Sequence, residues 1–366
     1  MRRRVAVIAA LMSLLWTLVP VGSAMAADPV SGAGSIWASD AAERWIAEFR
    51  QQSGAQQVSY AGVDDFGGRT QFRTGQASFA VSELEYDAID IADPAPVDRD
   101  FTYLPVLGNG LALTHSLRNA DGTRMTDLRL SGDTAAKIFT GVITSWNDPA
   151  IQADNPGRTL PAQAITPIVR RDVDGTSMVL TRWLADRHPA LWADFCARTS
   201  MPTCAPTAHY PQLPGMAAMY GSTGVVGHVV GAPGAIAYVE YPYLASGGLP
   251  AVHLRNEAGA YVAPTPGAVT TALSTVVIRP DQTQDLAPVF ANPDPDAYPL
   301  SSYAYAIVPT DTRLNFTPAK GETLAAFLRH AVGPGQSTVD ALGYAPLPPN
   351  LVSAALAQID LIPGAV

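Results

Sequence analysis

Three times along this chain a strand-like run ends in a turn of small residues and a helical stripe begins at once. The turns are Gly32-Ala33-Gly34-Ser35, Asp64-Asp65-Phe66-Gly67-Gly68 and Asp172-Val173-Asp174-Gly175-Thr176-Ser177. Strand, short turn and helix in repeated succession predict an α/β fold with mostly parallel sheets. The turns carry a chemical hint as well. A helix N-terminus leaves backbone N–H groups unpaired and bears partial positive charge, so several such ends converging on one cleft make an oxyanion site. One such turn alone is common in α/β proteins and says little.

The remaining segments keep the same alternation. Trp37, Ala41, Trp45 and Phe49 recur every four residues and predict a first helix, with Ser35 as cap and Gly54 as stop. QVSYAGV and ASFAVSE read as strands around the Gly67-Gly68 turn and a short helix. FTYLPVL and GLALTH read as two strands interrupted at Gly108-Asn109-Gly110. SGDTAAKIFTG is a capped helix stopped by Gly141, and AITPIVRRDVDGTSMVLTRWLAD is strand, loop, helix. GAIAYVEYPYL and LSSYAYAIVP supply further strands, the first followed by a helix or turn, and GETLAAFLRHAV a helix. At 366 residues the chain is long enough for two domains or lobes.

Hydrophobic residues make up 48% of the chain and charged ones 15%, which excludes a disordered, solvating polymer. The net charge of −9 argues against nucleic acid as a partner, since that needs basic patches that release counterions. Residues 1–26 open with three arginines, continue with an apolar stretch from Val5 to about Val19 and end in Ala24-Met25-Ala26. This is the plan of a cleavable signal peptide; an uncleaved anchor is the other reading, and the apolar stretch is short for a span of about 20 residues. No cysteine lies near the cleavage site, so a periplasmic or secreted protein without a lipid anchor is expected. Cys196 and Cys204 are the only cysteines and lie eight apart. In an oxidising compartment one disulfide is the simplest outcome, with two free thiols as the alternative.

Catalytic and metal-binding templates fit poorly. The sequence has no GxSxG elbow, no GxxxxGK[ST] loop and no GxGxxG. The six histidines are scattered, without HxH or HExxH spacing, and two cysteines cannot make a structural zinc site alone. No metal, no cofactor and no catalytic residue is predicted, although a histidine distant in sequence from Ser35 or Ser177 leaves a hydrolase as an alternative.

The order of the motifs is specific. GAGSIWASDAAERWIAEF, VSYAGVDDFGG, LPVLGNGLALT, KIFTGVITSWNDPAI, ITPIVRRDVDGTS, PGAIAYVEYPY, YPLSSYAYAIV and LGYAPLPPNLV follow one another through residues 30–360. In this the chain resembles the phosphate-binding protein of phosphate ABC importers. The resemblance implies a two-lobed periplasmic-binding-protein fold of type II, hinged at two crossing segments near Gly108 and Leu300. Lobe one would be residues 27–106 plus 300–366 and lobe two residues 107–299. It implies no catalysis, a monomer, phosphate or another small oxyanion as ligand, and a membrane permease as partner. A paralogue that senses, adheres or binds another small ligand on the same scaffold is the alternative.

Carried over residue by residue, the family's ligand set falls on Ser35, Ile36, Trp37, Asp65, Glu83, Arg170, Asp172, Asp174, Gly175 and Thr176. Arg170 matches the ligand-contacting arginine, Asp172 the acid that pairs with it, and Gly175 and Thr176 the donors that end the loop. Trp37 stands where the family usually has Phe. Four positions depart: Ile36 replaces Thr, Asp65 replaces Ser, Glu83 replaces Asp and Asp174 replaces Ser. Two carboxylates facing a dianion at about 4 Å would each cost several kcal/mol at an effective dielectric near 20. Arg69 and Arg171 lie beside the matching positions as possible compensation. Either Asp65 and Asp174 turn outward to cap helices, or the site no longer prefers phosphate.

Overall fold

The computed structural model describes residues 28–53, 57–86, 95 and 98–365. The signal peptide expected over 1–26 and the predicted stop at Gly54 lie outside them. Eight strands form one sheet: β1 (Val30–Gly34), β2 (Val58–Gly62), β3 (Phe79–Ser82), β4 (Phe101–His115), β5 (Thr166–Arg170), β6 (Ala217–Met219), β7 (Ala235–Glu240) and β8 (Ser301–Pro309). Their order across the sheet is β2-β1-β3-β8-β4-β7-β5-β6. β1, β2 and β3 are mutually parallel, and so are β5, β6 and β7. Between these two wings, β8 runs antiparallel to β3 and β4, and β4 antiparallel to β7. The sheet is therefore mixed, where sequence alternation predicts a mostly parallel one.

β4 joins the wings. It pairs with β8 from Phe101 to Gly110 and with β7 from Leu111 to His115. The predicted interruption at Gly108-Asn109-Gly110 does not occur; those residues sit inside one continuous 15-residue strand. The glycines serve close packing instead. A Cβ on Gly108 would stand 2.7 Å from the Ala345 carbonyl oxygen, and one on Gly110 would stand 2.7 Å from Val269 Cγ2.

β4 and β8 are buried almost throughout, as expected of strands paired on both sides and covered on both faces. Helix α1 (Ser39–Ser53) begins four residues after Ser35, which is thus not its cap. α2 (Asp65–Arg73) follows β2, α3 (Gly132–Phe139) is capped by Ser131, and α4 (Gly175–Arg187) follows β5. α5 (Gly221–Gly231) and α6 (Tyr241–Gly247) follow β6 and β7. α7 (Pro318–Val332) packs Phe327 edge-on to Phe49 of α1, with ring centroids 5.7 Å apart. Cys196 and Cys204 are disulfide-bonded, with Cα atoms 5.6 Å apart. Among the described residues no helix is long and apolar enough to cross a membrane.

Candidate functional site

Six strands deliver their carboxyl ends to one cleft. β1 leads into Ser35, Ile36 and Trp37, β2 into Asp64 and Asp65, β3 into Glu83, β5 ends at Arg170, β6 leads into Gly221 and Ser222, and β7 ends at Glu240. Ligands of open α/β sheets bind at such ends, because the strand-to-helix loops meet there with their backbone donors exposed. Glycine makes the approach possible in the first wing. Gly34 has φ of +149°, and a Cβ there would lie 1.9 Å from the Val81 carbonyl oxygen. A Cβ on Gly68 would lie 2.3 Å from Gly34 Cα, so α2 rests directly on the end of β1. The two wings also touch across the cleft, where a Cβ on Gly175 would lie 2.3 Å from Glu83 Cβ.

The cleft encloses a cavity of about 100 Å³. Arg170, 6% exposed, is its main cation, and most of its N–H groups have partners. Its Nε donates to Asp172 Oδ1 at 3.0 Å and its Nη2 to Asp172 Oδ2 at 2.5 Å. Nη2 also lies 2.9 Å from Asp174 Oδ1, and Nη1 donates to Ser222 Oγ at 2.8 Å. Ser222 Oγ donates in turn to Glu240 Oε2 at 2.5 Å. Burial works against the guanidinium charge, but Asp174, Asp172 and Glu240 outweigh it and hold Arg170 firmly protonated. Burial likewise opposes the charge of Asp172, and the two bonds from Arg170 overcome it, leaving its carboxyl below the ordinary range.

For three other acids burial and like charge outweigh the compensation they receive. Asp65 is pushed up from 3.8 to about 6, by burial first and then by the charge of Asp174, against the opposing pull of Arg69. Glu240 is pushed up to about 7, by burial and then by Asp174. Burial, then Glu240, Asp65 and Asp174, raise Glu83 well above the usual glutamate value. Asp65, Glu83 and Asp174 each place an oxygen within 4.8 Å of the others. A search for His and Cys spacing cannot detect this group. Donors already occupy much of it. Asp65 accepts from the Glu83 amide at 2.8 Å and Glu83 from Asn109 Nδ2 at 2.6 Å. Both oxygens of Asp174 are taken by Arg170 and Thr176. The arrangement is one of crowded negative charge around Arg170, with Arg69 acting on Asp65, and we assign no metal to it.

Seven of the ten residues singled out from sequence line the cavity: Ser35, Ile36, Trp37, Asp65, Arg170, Asp172 and Asp174. Glu83, Gly175 and Thr176 do not. Glu83 sits behind Asp65, with Oε2 buried and without a hydrogen bond. Thr176 is fully buried and spends both its amide and its hydroxyl on Asp174. The outward-turned arrangement of Asp65 and Asp174 is not found. Asp174 does cap its helix, yet it is 4% exposed and faces Arg170. The cap of α2 is Asp64, whose side chain accepts from the Gly67 amide, while Asp65 is buried. Arg171 lies over the Tyr220 ring, 5.2 Å from its centroid, whereas Arg69 is buried and acts on Asp65. Sequence reasoning passed over Ser222, Glu240 and Tyr243. Glu240 ends a strand that was recognised, so its place at a strand's carboxyl end was the available signal, and Tyr243 follows on the next helix.

A sheet with two parallel wings, a strand shared between them and a ligand-sized cavity at the strand ends defines the two-lobed periplasmic-binding-protein fold. The sequence profile of the PBP superfamily domain matches residues 19–333, and the chain belongs to that family. It is 27% identical over 325 residues to the phosphate-binding protein PstS of Xylella fastidiosa strain Temecula1, covering 88% of this chain and 82% of that one. It is also 27% identical over 336 residues to phosphate-binding protein PstS 3 of Mycobacterium leprae, covering 88% and 84%. Among solved structures, a high-affinity periplasmic phosphate-binding DING protein bound with phosphate superimposes with a TM-score of 0.63 at 15% identity, over 92% of this chain and 99% of that one. A phosphate-binding protein from Stenotrophomonas maltophilia gives 0.62 at 17% identity, over 93% and 96%.

Proposed function

We propose that this protein is the exported solute-binding subunit of an ABC importer of the phosphate type, capturing phosphate or a related oxyanion between its lobes and carrying out no catalysis. One observation carries the reading: Arg170 is buried at the carboxyl end of β5, in a cavity of about 100 Å³ that the ends of both wings enclose. A planar guanidinium suits the paired oxygens of a tetrahedral anion. Lobe one is taken as residues 27–106 plus 300–366 and lobe two as 107–299. The change of partner in β4 at Gly110 and Leu111 supports that division. The signal-like N-terminus supports a periplasmic or secreted location, a permease is the partner that such a subunit serves, and a monomer suffices for that role.

The acids refine the ligand. Ionised Asp65 and Glu240, which line the cavity, accept hydrogen bonds but cannot donate them. They therefore favour an oxyanion that carries its own protons, such as hydrogen phosphate or arsenate, over sulfate. The same acids support a second reading, a paralogue on this scaffold whose ligand is not inorganic phosphate. Calorimetry of the mature protein against phosphate, arsenate and sulfate at pH 7 separates the two. Phosphate and arsenate should bind and sulfate should bind more weakly; heat from none of them would favour the paralogue.

A further inference from the structure

The inner cavity does not end at its mouth. Ile36, Trp37, Thr223 and Tyr243 line both it and an outer chamber of about 550 Å³. That volume lies within the roughly 300–1,000 Å³ typical of pockets for organic ligands, and the inner volume lies well below it. An inorganic oxyanion at Arg170 would leave the outer chamber unused.

The chamber has a definite chemistry. Trp37 and Tyr344 form one wall as a stacked pair with centroids 5.3 Å apart, and Tyr243 and Pro242 of α6 form another. Among the described residues its lining carries one charge, Asp40 in the first turn of α1, and no basic residue. The negative field reaches the aromatic hydroxyls: burial first and then Asp40 raise Tyr344, and burial, Glu240 and Asp40 raise Tyr243. The Trp37 indole Nε1 is buried without a hydrogen bond, in a residue shared by both cavities. Aromatic walls with a carboxylate attract an organic cation. The inner cavity beside them presents the guanidinium that attracts a phosphoryl group.

We propose that the site takes an organic phosphate monoester or phosphonate whose substituent carries a protonated amine, with the phosphoryl group at Arg170 and the ammonium end at Asp40 and Tyr243. This rests on the oxyanion reading given above and names the class of ligand for the same site. It also accounts for the excess of acid around one arginine, because a zwitterion brings its own positive charge into a field that repels a simple dianion.

The test is calorimetry of the mature protein at pH 7 with inorganic phosphate, methyl phosphate and 2-aminoethyl phosphate. The amino ester should bind at least tenfold more tightly than methyl phosphate. Asp40→Asn and Tyr243→Ala should each bring that ratio down at least fivefold, a ratio that a general loss of folding would not shift selectively. If methyl phosphate or inorganic phosphate binds as well as the amino ester, the proposal is wrong while the oxyanion reading stands. If none of the three binds, the oxyanion reading fails and this proposal with it.

Discussion

Arg170 and Asp174 form a buried ion pair at 2.9 Å in which the acid also caps the helix that follows it. The pair welds the end of β5 to the start of α4. It also means that the cation best suited to an incoming anion already has an anionic neighbour. Much of the behaviour of the site follows from that competition.

Arg170→Ala should both abolish oxyanion binding and destabilise the fold. The structure shows that removal would leave Asp174 and Glu240 as uncompensated buried acids, a change that typically costs about 3–5 kcal/mol. Urea denaturation should show a clear drop in midpoint. Arg170→Lys should recover part of the stability and little of the binding, because an ammonium cannot make the paired planar contacts. An unchanged midpoint for the alanine variant would contradict this account.

Asp174→Ser should strengthen phosphate binding at pH 8 by tenfold or more. Serine is as good a helix cap as aspartate, so the start of α4 is kept, while one Arg170 donor is released to the ligand. Asp65→Ser should add to the gain by removing a second buried acid. Calorimetry of the single and double variants is the measurement, and affinity equal to that of the parent would show that these acids do not oppose the ligand.

Oxyanion affinity should rise as pH falls. Asp65, near 6, and Glu240, near 7, are ionised at pH 8 and take up protons toward pH 5.5, turning from repelling acceptors into donors. The charges facing them are Arg69, Arg170, Asp174 and Glu83, of which Glu83 moves in the same direction. Sulfate is the cleanest probe, since its own charge is constant over this range. Its affinity should increase roughly ten- to hundredfold from pH 8 to pH 5.5, as expected for a group that must protonate one to two units above its pKa. A flat profile would mean that these acids lie outside the binding equilibrium.

The unliganded protein should gain a stabilising contribution from the same acids at low pH. A carboxyl raised in the folded state makes the native protein bind more protons than the unfolded chain. The contribution is fully present below the unfolded value of 3.8 for Asp65 and is lost as pH rises through about 6; for Glu240 it is lost between 4.5 and about 7. Asp65→Asn keeps an acceptor for the Glu83 amide and removes the charge. At pH 8 it should raise stability by on the order of 2–3 kcal/mol, with the advantage shrinking toward pH 5. Melting curves across that range would refute the assignment if the variant's advantage did not depend on pH.

Arg182 and Glu85 should hold the cleft shut. Arg182 lies on α4 and Glu85 just beyond β3, and two bonds of 2.9 and 3.3 Å join them across the wings. Tyr305 also donates to Glu85 at 2.9 Å, and burial is outweighed by Arg182, so the acid lies below its usual value. Arg182→Ala should speed ligand dissociation at least tenfold, in line with the cost of breaking a largely buried pair. Stopped-flow release of ligand provides the readout, and an unaltered off-rate would remove the pair from any role in closure.

The linear order of residues determined the elements and the place of the site. Alternation within SSYAYAIV, the four-residue stripe from Trp37 to Phe49 and the small-residue turns are local patterns, and local patterns fix strands, helices and their junctions. The turns brought Ser35, Asp65 and Asp174 to attention before any contact was visible, and the family resemblance added Arg170. Tertiary structure decided what those residues do. Whether Gly108 breaks a strand or admits Ala345, and whether Glu83 lines a cavity or stands behind it, depend on groups tens to hundreds of residues away, and whether Asp174 faces solvent or Arg170, four residues before it, depends on how the loop between them is packed. The charge of the site is decided at the same level, because the acids from β2, β3, β5 and β7 shift one another only after the sheet has brought them within a few ångströms and taken them out of water.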